Sequence, residues 1–165
     1  MKLKRTYSSR EVASLTGLTA RQLQLWDASG LVAATIPAHK TDAGGYTERR
    51  YTPIELFELL VLADLRRRGF SVHQLHAILE ILRRRFGARL FDATGGGGHV
   101  QLLTDGRDIY ARTDSGEFFN LLHDATQPLL VVGNEGLLKA LSSTLRTGKP
   151  RKRVKTAGKP RRSDA

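Results

Sequence analysis

The sequence predicts an α+β fold: an N-terminal winged helix-turn-helix with a helix pair, then a small mixed α/β module and a disordered basic tail. Three observations carry this. Helix-start signals recur through the first half, each followed by apolar residues at helical spacing. From Val100 onward, short apolar runs alternate with tight-turn residues such as Asp105-Gly106. Residues 146–165 alternate Lys/Arg with Pro, Gly, Thr and Ser and hold almost nothing apolar. The expected boundaries are 1–86 for the first domain, 87–99 for a Gly-rich linker, 100–145 for the module and 146–165 for the tail.

Ser8-Ser9-Arg10-Glu11 is a capping box, with Tyr7 and Val12 placed as a hydrophobic staple. Thr19-Ala20-Arg21-Gln22 repeats it, with Leu18 and Leu23. Gly17 lies between the two helices and Gly30 follows the second, each suited to a left-handed helix end. Two short helices on a sharp turn form a helix-turn-helix. The second places Thr19, Arg21, Gln22 and Gln24 in its first turns. In such motifs the second helix enters the major groove. Trp26 is read as core.

Residues 32–51 read as a β-hairpin wing with a polar tip around Gly44-Gly45. Arg49 and Arg50 are neighbours, so in a strand they face opposite sides. One is then free for a phosphate while the other packs or meets solvent. Thr52-Pro53-Ile54-Glu55 starts a third helix that runs to about Arg68 and stops at Gly69. It is apolar on more than one face, which suits burial on several sides. Ser71-Val72-His73-Gln74 starts the fourth helix, with Phe70 and Leu75 as staple. Arg66-Arg67-Arg68 and Arg83-Arg84-Arg85 end the pair. Cations are favourable at helix C-termini, and phosphate contact is the alternative role.

Gly95-Gly96-Gly97-Gly98 lacks the Lys-Ser/Thr ending of a phosphate loop. Val100 to Leu103 and Asp108 to Arg112 read as a hairpin on Asp105-Gly106. Phe118 to Leu122 is short and apolar. Leu129 to Val132 reads as a strand and Leu137 to Leu145 as a helix.

Charge supports a polyanion partner. Residues 1–86 hold 14 Lys/Arg against 8 Asp/Glu, residues 87–145 hold 4 against 7, and residues 146–165 hold 9 against 1. The basic character lies at the two ends. The tail is read as a nonspecific DNA attractant or as a solubilising extension. The chain has no Cys, which excludes disulfides and thiolate metal sites. No bilayer-length apolar run or signal-peptide pattern is expected, so the location is cytoplasmic, on the nucleoid if DNA is bound. His73 and His76 lie one helical turn apart, but two His alone make a weak metal site. No catalytic constellation, metal or cofactor is expected.

In this order, residues 7–86 resemble the MerR family of bacterial transcriptional regulators. The resemblance rests on Tyr7 to Ala13, Thr16 to Leu23, Trp26-Asp27, Gly30-Leu31, Gly45-Tyr46, Arg50-Tyr51-Thr52, Leu65 and Gly69-Phe70-Ser71. Many members carry Arg-Tyr-Tyr-Asp after the recognition-helix Leu, where this chain has Gln24-Leu25-Trp26-Asp27. The long dimerisation helix of typical members is interrupted here by Gly87 and the Gly run. The remainder resembles actinobacterial-type members with Gln-Leu-x-x-Trp in the recognition helix and a compact C-terminal domain.

The resemblance implies a sequence-specific, homodimeric regulator on a palindromic operator, joined through residues after Phe86. Its partners would be double-stranded DNA, a second copy and RNA polymerase. It places Thr19, Arg21, Gln22 and Gln24 in the major groove and Tyr46, Arg49 and Arg50 on the flanking backbone. Arg reads guanine and Gln reads adenine by paired hydrogen bonds. Two other readings stay open: an excisionase-like architectural DNA protein, and a promoter-binding antitoxin or adapter.

Overall fold

The first elements form where the sequence supplies complete helix starts. The structure, a computed structural model, describes residues 2–95 and 97–129. Strand β1 (Tyr7–Ser8) leads into helix α1 (Ser9–Thr16), and α2 (Ala20–Ala28) follows. Strand β2 (Arg50–Tyr51) then pairs antiparallel with β1. Helices α3 (Pro53–Arg67) and α4 (Val72–Phe86) make the helix pair.

Each of these four helices opens with a reciprocal capping box. The N-cap side chains of Ser8, Thr19, Thr52 and Ser71 accept from the backbone N–H three residues on. Glu11, Gln22, Glu55 and Gln74 accept in return from the N-cap N–H. Two otherwise orphaned donors are satisfied at each start. The expected staples Tyr7–Val12, Leu18–Leu23 and Phe70–Leu75 are all buried, and Tyr51–Leu56 forms a fourth.

Helix α2 ends in a double bond: Leu31 N–H donates to the Trp26 carbonyl at 2.9 Å and Gly30 N–H to that of Asp27 at 3.1 Å. This closure needs the left-handed backbone that Gly30 adopts, at φ 74°. Trp26 is in the core, as expected.

The Arg triplets that end α3 and α4 are engaged within the fold. Arg66 donates to the Phe70 carbonyl, and Arg67 reaches across to the Thr16 carbonyl at the end of α1. Arg68 pairs with Asp64, and Arg83 and Arg84 pair with Glu80. Arg85 stacks over the Phe119 ring at 4.7 Å and donates to the Thr126 carbonyl.

The stretch 87–99, expected as a linker, holds a short helix α5 (Leu90–Thr94). Leu90 and Ala93 are buried in it. Five residues are too few to show a helical period, and no side chain caps the start, so no local pattern marks this helix.

Strands β3 (Val100–Thr104), β4 (Ile109–Thr113), β5 (Phe118–Asn120) and β6 (Asp124–Leu129) follow. They form an antiparallel meander in sequence order. The expected hairpin is β3–β4, and Asp105 Oδ1 accepts from the Arg107 and Asp108 N–H groups in its turn.

Within the expected mixed α/β module 100–145, the described residues 100–129 supply its strands. The strand expected from Leu129 begins earlier, and only Leu129 belongs to β6. Residues 124–129 are largely exposed and include Pro128, a composition tolerated only at a sheet edge. Leu130 to Val132, the helix expected over 137–145 and the tail 146–165 lie outside the described residues.

One contiguous apolar core runs from Tyr7 through Leu59, Leu75 and Leu82 to Leu90, Ile109 and Phe119. Phe86 at the end of α4 meets Phe119 of β5 edge to face, with centroids 5.6 Å apart. Glu58, on the inner side of α3, pairs bidentately with Arg89 at 2.6 and 3.0 Å and accepts from Phe91 N–H. A carboxylate is tolerated at that depth only when its oxygens are so occupied. No helix among the described residues is long and apolar enough to cross a membrane.

Candidate nucleic-acid interface

The surface in question is built by α2 and the loop between Leu31 and Arg50. Leu23 and Trp26 turn into the core, which leaves Arg21, Gln24, Leu25 and Ala28 on the outer face of α2. Arg21 has no hydrogen-bond or ion-pair partner among the described residues and projects from the first turn. Leu25, one helical turn beyond Arg21, is 54% exposed.

The loop runs out and back as two antiparallel arms. Ile36 and Arg50 exchange backbone bonds at 3.2 and 2.9 Å. Lys40 bridges to Tyr46 further out, and Thr47 N–H donates to the His39 carbonyl at 2.8 Å. The tip closes between Thr41 and Gly45, with Gly44 at φ 85°. The ladder is thus two isolated bridges rather than the continuous hairpin expected for 32–51.

The loop is fixed to α2 by Asp27. Its Oδ2 accepts from Arg49 Nε at 2.7 Å, and its Oδ1 accepts from Ala34 N–H at 2.9 Å. Ser9 Oγ donates to the Arg49 carbonyl at 3.4 Å. On the inner side, Glu55 of α3 accepts from Thr35 N–H and from the Thr35 hydroxyl. The loop is therefore held to three helices, to α2 and α3 by the two carboxylates and to α1 by the Ser9 hydroxyl. Both carboxylates lie at the near end of the loop, leaving its tip free of such ties.

Gln24, Tyr46 and Arg49 line one shallow cleft of about 540 Å³, together with Ser9 and Ala38. Tyr46 stands 74% exposed at its rim. The other expected residues sit apart. Thr19 and Gln22 close the capping box on each other at 3.1 and 2.8 Å, so the Gln22 Oε1 is already engaged. Arg50 turns away from the cleft, and its Nε donates to Thr6 Oγ1 at 2.9 Å.

Three further residues of this surface, Asp27, Leu25 and Arg10, carry no interface role on the sequence alone. Asp27 pairs with a residue 22 positions away, and no local pattern announces that. Leu25 interrupts a polar face and so reads as core. Arg10 is exposed on α1 with no ion-pair partner among the described residues. Its place beside the capping box was legible, but its outward direction was not.

Beneath the cleft, the Tyr51 side chain is fully buried, and its hydroxyl has no hydrogen-bond partner among the described residues. Burial, and then the nearby Asp27 charge, push its phenol above the ordinary value. At the edge of α1, Glu11 behaves oppositely. The Lys4 ammonium, followed by the Ser8 backbone N–H, holds its carboxyl at about 2. His76 Nε2 lies 3.2 Å from Ser29 Oγ, while His73 is exposed.

Residues 7–81 match the family described as MerR HTH family regulatory protein. The N-terminal half of this chain is a MerR-type helix-turn-helix domain. The chain is similar to an HTH-type transcriptional regulator of Mycobacterium tuberculosis, 25% identical over 139 residues that span 84% of this chain and 57% of that protein. It therefore spans a little over half the length of its mycobacterial relatives. It is also similar to the HTH-type transcriptional regulator CueR of Vibrio cholerae, 35% identical over 71 residues, 43% of this chain and 47% of that one. A crystal structure of a MerR-family transcriptional regulator from Bacillus cereus aligns over 48% of this chain and 53% of its own, with 28% identity and a TM-score of 0.37. The MerR-type domain holds every element of the surface described above.

Proposed function

We propose that this chain is a sequence-specific, DNA-binding transcriptional regulator that acts as a homodimer on a palindromic operator. The observation that carries this is the exposed, unpaired Arg21 beside Gln24 on a helix locked to an outreaching loop. Arg21 is assigned to guanine, through bidentate bonds to O6 and N7, and Gln24 to adenine. Leu25 offers an apolar contact for a thymine methyl group. Thr19 and Gln22 keep the helix start in shape, and Thr19 and the free amide of Gln22 lie close enough to add backbone contacts.

Tyr46 and Arg50 are assigned to flanking phosphates, which set register without reading sequence. Arg49 is given a mixed role: Asp27 holds its Nε, and its two outer nitrogens are assigned to a flanking phosphate. Dimerisation through residues after Phe86 belongs to the same reading, as does RNA polymerase as a further partner. An excisionase-like role is disfavoured, because the four-stranded sheet packs into the same core and gives the chain a second folded part.

Genome-wide mapping of bound DNA tests the proposal. A few sharp palindromic sites are expected, whereas broad coverage would favour an architectural protein. Titration of Arg21→Ala tests the assignment of roles. It should cost about 1–3 kcal/mol on the mapped site and far less on a scrambled duplex. Equal losses on both would move Arg21 off the base edges.

A further inference from the structure

A second cleft, of about 450 Å³, lies between the end of α2, α4 and the start of α5. Its size falls in the range of roughly 300–1,000 Å³ typical of small-molecule sites. Its apolar lining comes from Leu31, Val32, Leu79 and Leu90, and its charged lining from Arg83 and Arg89 with Glu80 and Glu58.

The charges are unequal in what they leave available. Glu58 has both oxygens engaged by Arg89 and one also by Phe91 N–H. Glu80 has its oxygens engaged by Arg83 and Arg84. Arg89 uses Nε and Nη2 on Glu58, and Arg83 uses Nη2 on Glu80. Among the described residues, Nη1 of Arg89 and both Nε and Nη1 of Arg83 have no acceptor. The carboxylates are thus satisfied while the guanidinium edges hold spare donors. Each guanidinium thus keeps at least one spare N–H, so the two oxygens of a carboxylate can take one charge-assisted hydrogen bond from each arginine.

We propose that this cleft binds a small amphipathic carboxylate, its anionic end on Arg83 and Arg89 and its apolar body against Leu31, Val32 and Leu79. Such a ligand would touch the backbone turn that ends α2 and would neighbour the Ser29–His76 contact between α2 and α4. The proposal stands independently of any assignment of DNA contacts.

The test uses the full chain with 2-naphthoate as probe, and 2-naphthamide and 2-naphthylmethylammonium as neutral and cationic matches. Calorimetry gives the affinity. The single Trp of the chain, Trp26, reports fluorescence from the neighbouring helix. Saturable binding of one naphthoate per chain is expected, at least about tenfold tighter than either match, a difference of about 1.4 kcal/mol. Arg83→Glu should weaken it by at least about tenfold, and Arg107→Glu, in the β3–β4 turn, should leave it unchanged. Arg83→Gln replaces Arg83→Glu if the latter alters the thermal transition. No saturable binding up to millimolar concentration overturns the proposal. So does equal binding of the three probes, or an unaffected Arg83 variant. Binding lost in step with self-association as the chain is concentrated assigns the cleft to a second copy, and that overturns it too.

Discussion

Asp27 joins three segments through one carboxylate: its own helix, the start of the loop at Ala34 and the returning arm at Arg49. Its side chain is 16% exposed and that of Arg49 is 28% exposed, so solvent screens the pair only in part. Asp27→Ala strips the Ala34 N–H and the Arg49 guanidinium of their acceptor. The expected cost is about 1–3 kcal/mol of stability, with faster amide exchange at Ala34 and Thr47. Affinity should fall on operator and scrambled duplexes alike, because the loop loses its position while the outer face of α2, proposed to meet the bases, is untouched. Unchanged exchange at those amides would show that the loop is held by its bridges alone.

Tyr51 gives the opposite expectation at the same scale. Its hydroxyl is buried without a partner among the described residues, so removing it leaves nothing unpaired behind. Tyr51→Phe should leave the unfolding free energy unchanged or raise it by up to about 1 kcal/mol. A loss larger than that, read by chemical denaturation, would reveal an acceptor that the hydroxyl needs.

At the scale of elements, helix starts govern the first half of the molecule. The box on α1 has a pH signature because its Glu11 carboxyl is held at about 2, against an ordinary 4.5. A folded-state pKa below the unfolded one stabilises the fold at pH above the unfolded value, and the gain is lost as pH falls towards the folded one. Stability should therefore drop between about pH 4.5 and 2, and Glu11→Gln should flatten that part of the profile. An identical profile in the variant would mean that the Lys4 and Ser8 contacts do not persist in solution.

The same boxes explain what was legible in advance. Each is written in four consecutive residues, so α1 to α4 and their staples could be read directly. The β3–β4 hairpin was legible for a similar reason, since Asp105-Gly106 marks its turn. Helix α5 and strand β6 were not, one being too short to show a period and the other polar with a proline. Within the candidate surface, Arg21 and Gln24 could be singled out by residue chemistry and position, and Tyr46 by the family resemblance. The pairing of Asp27 with Arg49, and the turn of Arg50 towards Thr6, depend on contacts between distant segments. No local pattern records those.

At the scale of the whole described molecule, the helix-turn-helix and the sheet share a core. Leu90, Ala93 and Phe119 are buried in one core with residues of α3 and α4, and burying a Leu or Phe side chain contributes on the order of 1.5–3 kcal/mol. A chain ending at Phe86 should therefore unfold at a markedly lower temperature than one ending at Leu129. It should also expose apolar surface that binds a hydrophobic dye. Equal thermal midpoints for the two truncations would show that residues 1–86 form an independent domain, the boundary expected from the sequence.

The two carboxylates that secure the loop grip it at Thr35, Ala34 and Arg49, while among the described residues its tip from Thr41 to Gly45 is closed by its own turn alone. Length at the tip is therefore uncoupled from the geometry at the base. Residues inserted after Asp42 would lengthen the arm and leave the Asp27 and Glu55 attachments in place. The loop is in this sense an adjustable spacer: a chain of this design can change how far its arm reaches without altering the outer face of α2.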